Sequence, residues 1–485
     1  MKRITRLPFL TLCLTICTLL ATSLIFPASY AKAEEKKTYT IATDVTFAPF
    51  EYQDVNGEFV GIDMDLIKAI AEDQGFEIEI KPLGFNAAVQ ALEAKQVDAV
   101  IAGMSITEER MKKFDFSDPY FESGVVLAVS ESNEDVSSYE DLKGKKVAVK
   151  TGTEGASFAD SIKDKYGFKT VTYDDSANMY EDVKTGNSAA VFDDYPVLAY
   201  GITQGNGLKI VTEKEKGGSY GFAVSKGENQ ELLQKFNDGL ANLQESGEYQ
   251  EILDTYLKAE KSTETDSGFF GLLKDSMPSL MKGLQMTLIL TVVSLIFASI
   301  LGIIFGLLRV MKNKALRAIG TIYVDIFRGT PLIVQAFFIY FGVPAALDFR
   351  ISAIAAGLIT LSLNAGAYMA EIVRGGIESV DKGQMEAARS LGLPYSKAMR
   401  KVVLPQAIRL MIPSFINQFI ITLKDTSILS IIGINELTQS GKIIIARNLE
   451  SFQMWLIVGA IYFIIIMILT KVSNIMERRI QNGKA

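Results

Sequence analysis

The chain has 485 residues, enough for two or three domains, of which 48% are hydrophobic and 22% charged. Histidine is absent, and the two cysteines, Cys13 and Cys17, both lie close to the N-terminus. That excludes His-based catalysis and His-ligated metals, and, beyond the start of the chain, disulfides and thiolate chemistry. Residues 34–266 carry 45 Asp+Glu against 23 Lys+Arg, whereas residues 267–485 carry 11 against 22. An acidic, soluble block therefore precedes an apolar, basic one, and no nucleic-acid partner is expected.

Lys2, Arg3 and Arg6 precede an apolar run over residues 7–26 and the small-x-small site Ala31-Lys32-Ala33. This is the order of a secretory signal, so residues 1–33 are expected to direct residues 34–260 out of the cytoplasm.

From residue 38 strand and helix signals alternate. Residues 39–43 are a β-branched run. Ile62, Leu66, Ala69 and Ile70 recur at helical spacing before Gly75. Residues 76–80 alternate apolar with charged, 86–95 read as helix and 99–102 as strand. The pattern restarts at 146–149, with a helix near 157–165 and strands at 170–173 and 189–192. This predicts an α/β domain with mainly parallel sheets. Residues 124–129 and 220–224 are expected to cross between two lobes, lobe 1 over about 38–126 and 220–258 and lobe 2 over about 127–219. A helical tail covers 230–256.

Five strings then occur in order: Ala42-Thr43-Asp44-Val45-Thr46-Phe47-Ala48-Pro49-Phe50-Glu51, Gly61-Ile62-Asp63-Met64-Asp65-Leu66, Ala102-Gly103-Met104-Ser105-Ile106-Thr107-Glu108-Glu109-Arg110, Phe114-Asp115-Phe116-Ser117-Asp118-Pro119-Tyr120 and Val149-Lys150-Thr151-Gly152-Thr153. As a set they resemble the polar amino-acid binding proteins of ABC importers, the glutamine type most closely. The resemblance implies an α/β two-lobed clamshell of the type II periplasmic-binding-protein kind, hinged to close over its ligand.

A free amino acid presents a carboxylate, which wants a guanidinium fork and neutral donors. Arg110 matches the fork, with Ser105 and Thr153 beside it in the motif. For the ammonium, the resemblance implies Asp194, helped by the Gly103 carbonyl. Phe47 and Phe85 match the aromatic walls around the side chain. Asp44 can accept from a primary amide and Lys150 can donate to its oxygen, which favours glutamine. Two departures add negative charge: Asp193 stands where the glutamine type has histidine, and Glu154 where it has glycine. A basic amino acid is therefore the alternative substrate.

Residues 261–268 read as a solvated linker and 269–282 as an amphipathic interfacial helix. The permease block, 269–485, offers five candidate spans: 284–308, 319–343, 350–373, 405–432 and 453–475. Lys and Arg concentrate in 309–318, in 374–404 and in the tail, while 344–350 holds only Arg350. The positive-inside rule then places residue 268 outside and the C-terminus inside. In the 374–404 loop, Glu386-Ala387-Ala388, Gly392 and Val402-Val403-Leu404-Pro405 match the spacing of the ABC permease signature, with Val402 in place of Ile. Glu386, Ala387, Gly392, Leu404 and Pro405 are accordingly expected to couple to an ATPase.

The expectation is a binding domain fused to an all-α ABC importer permease in the lipid bilayer. It delivers a polar amino acid, glutamine first, and pairs with a second copy of itself. The chain has no P-loop and is expected to bind no cofactor of its own, ATP being used by a separate ATPase subunit. The rival reading is a ligand-gated channel of the ionotropic glutamate-receptor type, in which spans interrupt the clamshell.

Overall fold

The run Thr38–Asp44 is extended and buried on both faces from Ile41 onward, as a central strand flanked by helices must be. It pairs in parallel with Glu77–Leu83 along its whole length, Thr38 opposite Glu77 and Asp44 opposite Leu83, and on its other edge with Ala99–Val100. Ala223–Ser225 and Phe114–Phe116 complete this first sheet, Ala223–Ser225 running antiparallel to both its neighbours. A second sheet repeats the plan in the order Lys169–Tyr173, Lys146–Lys150, Ala190–Asp194, Val125–Ser130, Leu208–Ile210. These lie in a computed structural model that describes residues 36–54, 57–215, 218–258, 268–448 and 450–482. The expected signal peptide and all but the last residue of the expected linker lie outside the described residues.

Two expectations are corrected by this topology. The sheets are mixed rather than mainly parallel. Val125–Ser130 and Ala223–Ser225 each enter their sheet straight from a crossing between lobes, with no helix to turn the chain round, and so run antiparallel to their neighbours. The crossings also lie earlier in sequence. Phe121–Glu122 and Ser219–Tyr220 form a two-stranded antiparallel ribbon, Tyr220 opposite Phe121, and residues 125–129 already belong to the second lobe.

The remainder is helical. Among the described residues, four helical stretches are long and apolar enough to cross a membrane: 269–310, 353–378, 395–432 and 451–475. All of them follow the clamshell, so no span interrupts its lobes, unlike the channel arrangement. The segment expected as a separate interfacial helix is continuous with the first span, and Phe269–Val310 is one helix of 42 residues. Its Gly302 and Gly306 let Met369 and Val373 of the helix Ala353–Glu378 approach closely. Leu437–Asn448, read from sequence as loop, is also helical, and its Leu437, Ile444 and Ile445 pack with Leu272, Leu280 and Leu284. Pro413, a residue that disfavours helix interiors, lies inside the helix Leu404–Asp425. The change of winding comes instead at Thr426–Ile432, a tighter 3₁₀ segment.

The second candidate span is not straight. Lys314–Gly329 and Leu332–Leu347 meet at an angle of 105°, because Thr330 precedes Pro331 and is held extended. A break inside an apolar bundle strands carbonyls, and here two buried amides satisfy them. Gln335 Nε2 donates to the Phe327 carbonyl (2.8 Å), the Thr330 carbonyl (3.0 Å) and Thr330 Oγ1 (2.8 Å). Asn364 Nδ2 donates to the same Phe327 carbonyl (3.0 Å) and to Gln335 Oε1 (3.2 Å). Charges in the helical block also find partners: Glu371 pairs with Arg309, with Arg328 (3.7 Å) and with Arg374 (2.8 Å).

Replacing Gln335 by alanine removes the donor at the bend and leaves buried carbonyls unmatched. Gln335→Ala should destabilise the purified protein by about 1–3 kcal/mol. Thermal unfolding in detergent measures this, and an unchanged midpoint would refute the role of this amide.

Candidate functional site

Eight of the nine residues expected to bind substrate line one cavity between the lobes: Phe47, Phe85, Gly103, Ser105, Arg110, Lys150, Thr153 and Asp194. Ala102 and Glu154 complete the wall. Ala102 carries no signal in the sequence, whereas Glu154 stands out there as the residue replacing a glycine. The side chains close this site down to about 10 Å³, so a ligand needs the lobes or side chains to part.

Each wall residue is placed by the end of an element. Lys150 and Asp194 end the parallel strands Lys146–Lys150 and Ala190–Asp194. Thr153 caps the helix Glu154–Tyr166 by accepting from the Ala156 N–H (3.4 Å) while its own hydroxyl donates to the Lys150 carbonyl (2.8 Å). Arg110 sits in the short helix Glu108–Met111, capped by Thr107. Gly103 adopts a left-handed backbone (φ +51°), and a Cβ there would lie 2.5 Å from the Phe47 ring. Only glycine fits this conformation and this approach. Its N–H donates to Asp63 Oδ2 (2.8 Å).

Arg110 and Asp194 form opposite poles. Arg110 reaches from one lobe to the other, donating to the Ser105 carbonyl and the Gly152 carbonyl, both at 2.8 Å, and its guanidinium lies 5.2 Å from the Phe85 ring centroid. Asp194 accepts from Tyr220 Oη, itself bonded by Ser123 Oγ at 3.0 Å. The ribbon between the lobes thus touches Asp194 directly. Burial, reinforced by the neighbouring charge of Asp193, pushes the Asp194 carboxyl up to about 8. Asp193 itself is turned away from the cavity. It accepts from Tyr180 Oη (2.6 Å) and from the Asp194 N–H (2.9 Å), so of the two departures from the glutamine pattern this one does not face the cavity, whereas Glu154 does.

The ninth residue, Asp44, is placed differently from expectation. It forms an ion pair with Lys150, both side chains 1% exposed, and lines a second cavity behind it. Its other oxygen accepts from the Thr46 N–H (3.0 Å) and hydroxyl (2.8 Å). Burial alone would lower the Lys150 pKa, but the charge and hydrogen bond of Asp44 outweigh it and hold the ammonium above its usual value. Lys150 lies 4.9 Å from the Phe47 ring centroid and is the member of the pair that faces the ligand cavity. Asp44 faces a chamber of about 480 Å³ lined also by Asn86, Gln90 and Asp174 and by Phe337, Gln439 and Lys442 of the helical block. No signal in the sequence marked this chamber, which exists only once the two domains meet.

The expected coupling residues cluster away from the cleft. Glu386 and Ala387 are exposed on the helix Lys382–Ser390, Gly392 closes that helix with φ +82°, and Leu391 beside it is 84% exposed. Leu404 and Pro405 open the next long helix.

A hinged, two-lobed binding domain joined to a helical membrane domain defines a solute-capturing membrane transporter. Comparison with known families agrees on both halves. Residues 39–259 match the bacterial extracellular solute-binding proteins, family 3, and residues 275–482 match the binding-protein-dependent transport system inner membrane component. The chain is 39% identical over 207 residues to the glutamine transport system permease protein GlnP of Escherichia coli, covering 42% of this chain and 94% of that one. It is 37% identical to the arginine transport system permease protein ArtQ of Bacillus subtilis, covering 43% and 94%. Among solved structures, the second substrate-binding domain of Lactococcus lactis GlnP is 40% identical, covering 48% of this chain and all of that one (TM-score 0.37). The chain therefore belongs to the inner membrane components of binding-protein-dependent transport systems, with a family 3 solute-binding domain fused ahead of the permease.

With a folded value near 8 against about 3.9 in the unfolded chain, Asp194 retains a proton on folding. That contribution to stability is full at low pH and is lost as pH rises toward 8. If Asp194 receives a ligand's ammonium as a carboxylate, binding expels the proton, and affinity for an amino-acid ligand should rise with pH between 6 and 8, by up to about tenfold per unit. Calorimetry in two buffers of different ionisation heat should show proton release at pH 7. Absence of release, or its persistence in Asp194→Asn, would refute the assignment.

Proposed function

We propose that the clamshell captures a polar amino acid outside the cell, glutamine before others. The permease then carries it inward when a separate ATPase, using ATP, acts on the segment from Glu386 to Pro405. Two copies of the chain would enclose the pathway through their permease domains, with a closed two-fold interface. The chain itself binds no cofactor in this reading.

The observation that carries the substrate is the arrangement of charge around the cavity. Arg110 and Asp194 supply one cation and one anion for the two ends of a zwitterion, with the Gly103 carbonyl on the same wall. The remaining cation, Lys150, is already neutralised by Asp44. A neutral amide can accept from Lys150 without breaking that pair. An arginine or lysine side chain would instead meet an ammonium with its counter-ion behind it. The Escherichia coli relative, a glutamine transport system permease protein, supports the same choice. One observation favours a basic substrate: Glu154 faces the cavity and accepts from the Gly218 N–H (2.8 Å), and the Bacillus relative is named for arginine.

A titration of the full chain against all twenty amino acids separates the two. Glutamine should bind at least tenfold more tightly than arginine. If arginine binds more tightly, and Glu154→Gln abolishes that preference, the basic reading replaces this one.

Coupling has its own test. Gly392 is left-handed with open space at its Cβ position, so substitution is opposed by the backbone rather than by packing, most strongly for a β-branched residue. Gly392→Val should abolish amino-acid uptake by cells while leaving glutamine affinity within twofold of the native value. Uptake that survives would remove this segment from the drive mechanism.

A further inference from the structure

We propose that Arg350 and its loop are a latch by which the permease grips lobe 1 of the clamshell, so that lobe 1 stays seated through the transport cycle and lobe 2 alone swings. The proposal rests on the importer reading above and assigns a role to residues outside the ligand cavity and the coupling segment.

Arg350 lies between the bent helix pair and the helix Ala353–Glu378, and its guanidinium reaches into lobe 1. Nε donates to the Lys95 carbonyl (2.9 Å), and the two terminal nitrogens take the two oxygens of Asp98 at 2.6 and 3.3 Å. A fork on a carboxylate plus a third bond to backbone fixes orientation as well as distance. Gln96, 7% exposed, adds a second grip. Its amide nitrogen donates to the Phe349 carbonyl and its oxygen accepts from the Ile351 N–H, both at 3.0 Å. The amide therefore reads the permease backbone on either side of Arg350, much as a paired strand would.

The lobe is built to hold these groups. Asp98 accepts from the Thr40 N–H (2.8 Å), which ties the latch to the central strand that ends at Asp44. Asn229 Nδ2 donates to the Asp98 carbonyl (3.0 Å), and Lys95 pairs with Glu228. Among the described residues, the non-glycine positions with positive φ are Lys95 (56°), Asn229 (47°) and Asp348 (52°). All three fall at this one contact, two on the lobe and one on the permease loop. Such backbone is held only where surroundings over-determine it, and its concentration at a joint points to a function for the joint. Lobe 1 makes another directional bond at Arg447, which donates to the Asp54 carbonyl (2.9 Å). Lobe 2 meets the permease mainly through its helix Ser176–Lys184, which packs on Leu437–Asn448 and Ser451–Asn482; Ala177 joins the apolar cluster that holds Leu437 and Ile444, and apolar packing of this kind can slide where a forked ion pair cannot.

The test uses the full chain in cells, with Cys13 and Cys17 replaced by serine and cysteines introduced as Gln96→Cys and Ile351→Cys. Radiolabelled glutamine and arginine are the probes. The pair should cross-link on oxidation, and cells carrying the cross-linked protein should keep at least half the uptake of the reduced form. A pair that does not cross-link, or a cross-linked protein that binds amino acid but no longer transports it, overturns the latch. Separately, Arg350→Glu should cut uptake at least tenfold with affinity unchanged within twofold, and native uptake in that variant also overturns it. If the unsubstituted chain takes up neither probe, it is the importer reading that fails, a result distinct from any of these.

Discussion

The ion pair between Asp44 and Lys150 is the contact on which the closed clamshell depends. The two residues end strands in different sheets, are 1% exposed each, and meet only when the lobes close. Burying either charge alone costs several kcal/mol of lost hydration, and that cost is offset only when the partner arrives. Asp44 is prepared for this by Thr46, which donates twice to the oxygen that Lys150 leaves unused. Opening rehydrates both groups, and closing exchanges water for a direct pair. A ligand that contacts both lobes shifts the balance toward the closed state. The same pair is the partition between two cavities, Lys150 on the ligand side and Asp44 on the side of the chamber above the helices. Separating them opens the cleft toward that chamber.

The membrane domain obeys the same accounting of polar groups with different means. The clamshell satisfies its strand ends by pairing and capping, as at Thr153. The permease bends at Thr330 only because Gln335 and Asn364 take up the carbonyls released there. In both halves, irregular backbone is found where a buried side chain has been committed to it. That is why the break can sit next to the chamber: Ile333 and Phe337, just beyond it, line the chamber wall.

Much of the site could be read in the sequence because its residues are carried on short strings whose local chemistry is self-sufficient. Gly103 and Arg110 share one string, Lys150 and Thr153 another, and all four face one cavity. The choice between Asp193 and Asp194 was also accessible, since neighbours on a strand point to opposite faces. What failed depended on direction or on assembly. Hydropathy sums the apolar residues of 319–343 without regard to the chain's path, so a bend of 105° leaves the sum unchanged, and only the Thr330-Pro331 pair signals it. Helical periodicity is faint in 437–448 because the helix is buried on most sides, Gln439, Ser440 and Gly441 as well as Leu437 and Ile444, so no polar face sets off an apolar one. Asp44 is expected from its string to meet the ligand, and the structure pairs it with Lys150, a partner that nothing in its own string shows. Arg350 stood out as the single basic residue of an outer loop, yet its partner Asp98 belongs to the other domain.

The latch, the hinge and the ion pair together fix which way the cleft must open. Asp98 holds Thr40, and Thr40 lies on the strand that ends at Asp44. A permease that grips Asp98 therefore also fixes Asp44 at the mouth of the chamber. The ribbon of Phe121–Glu122 and Ser219–Tyr220 joins the lobes, and rotation about it carries Lys150, Thr153 and Asp194 as one body with the second sheet. Arg110 stays with lobe 1, so opening breaks its bond to the Gly152 carbonyl and retains its bond to the Ser105 carbonyl. Asp194 and the Thr153 cap then leave together, while Arg110 stays with lobe 1. In the proposed reading, an amino acid released by this motion parts from Asp194 first and from Arg110 last. Were lobe 2 the anchored one, Asp44 and Arg110 would swing away from the helices that line the chamber, and the carboxylate would be drawn off with them. The direction of release thus follows from which lobe the permease holds.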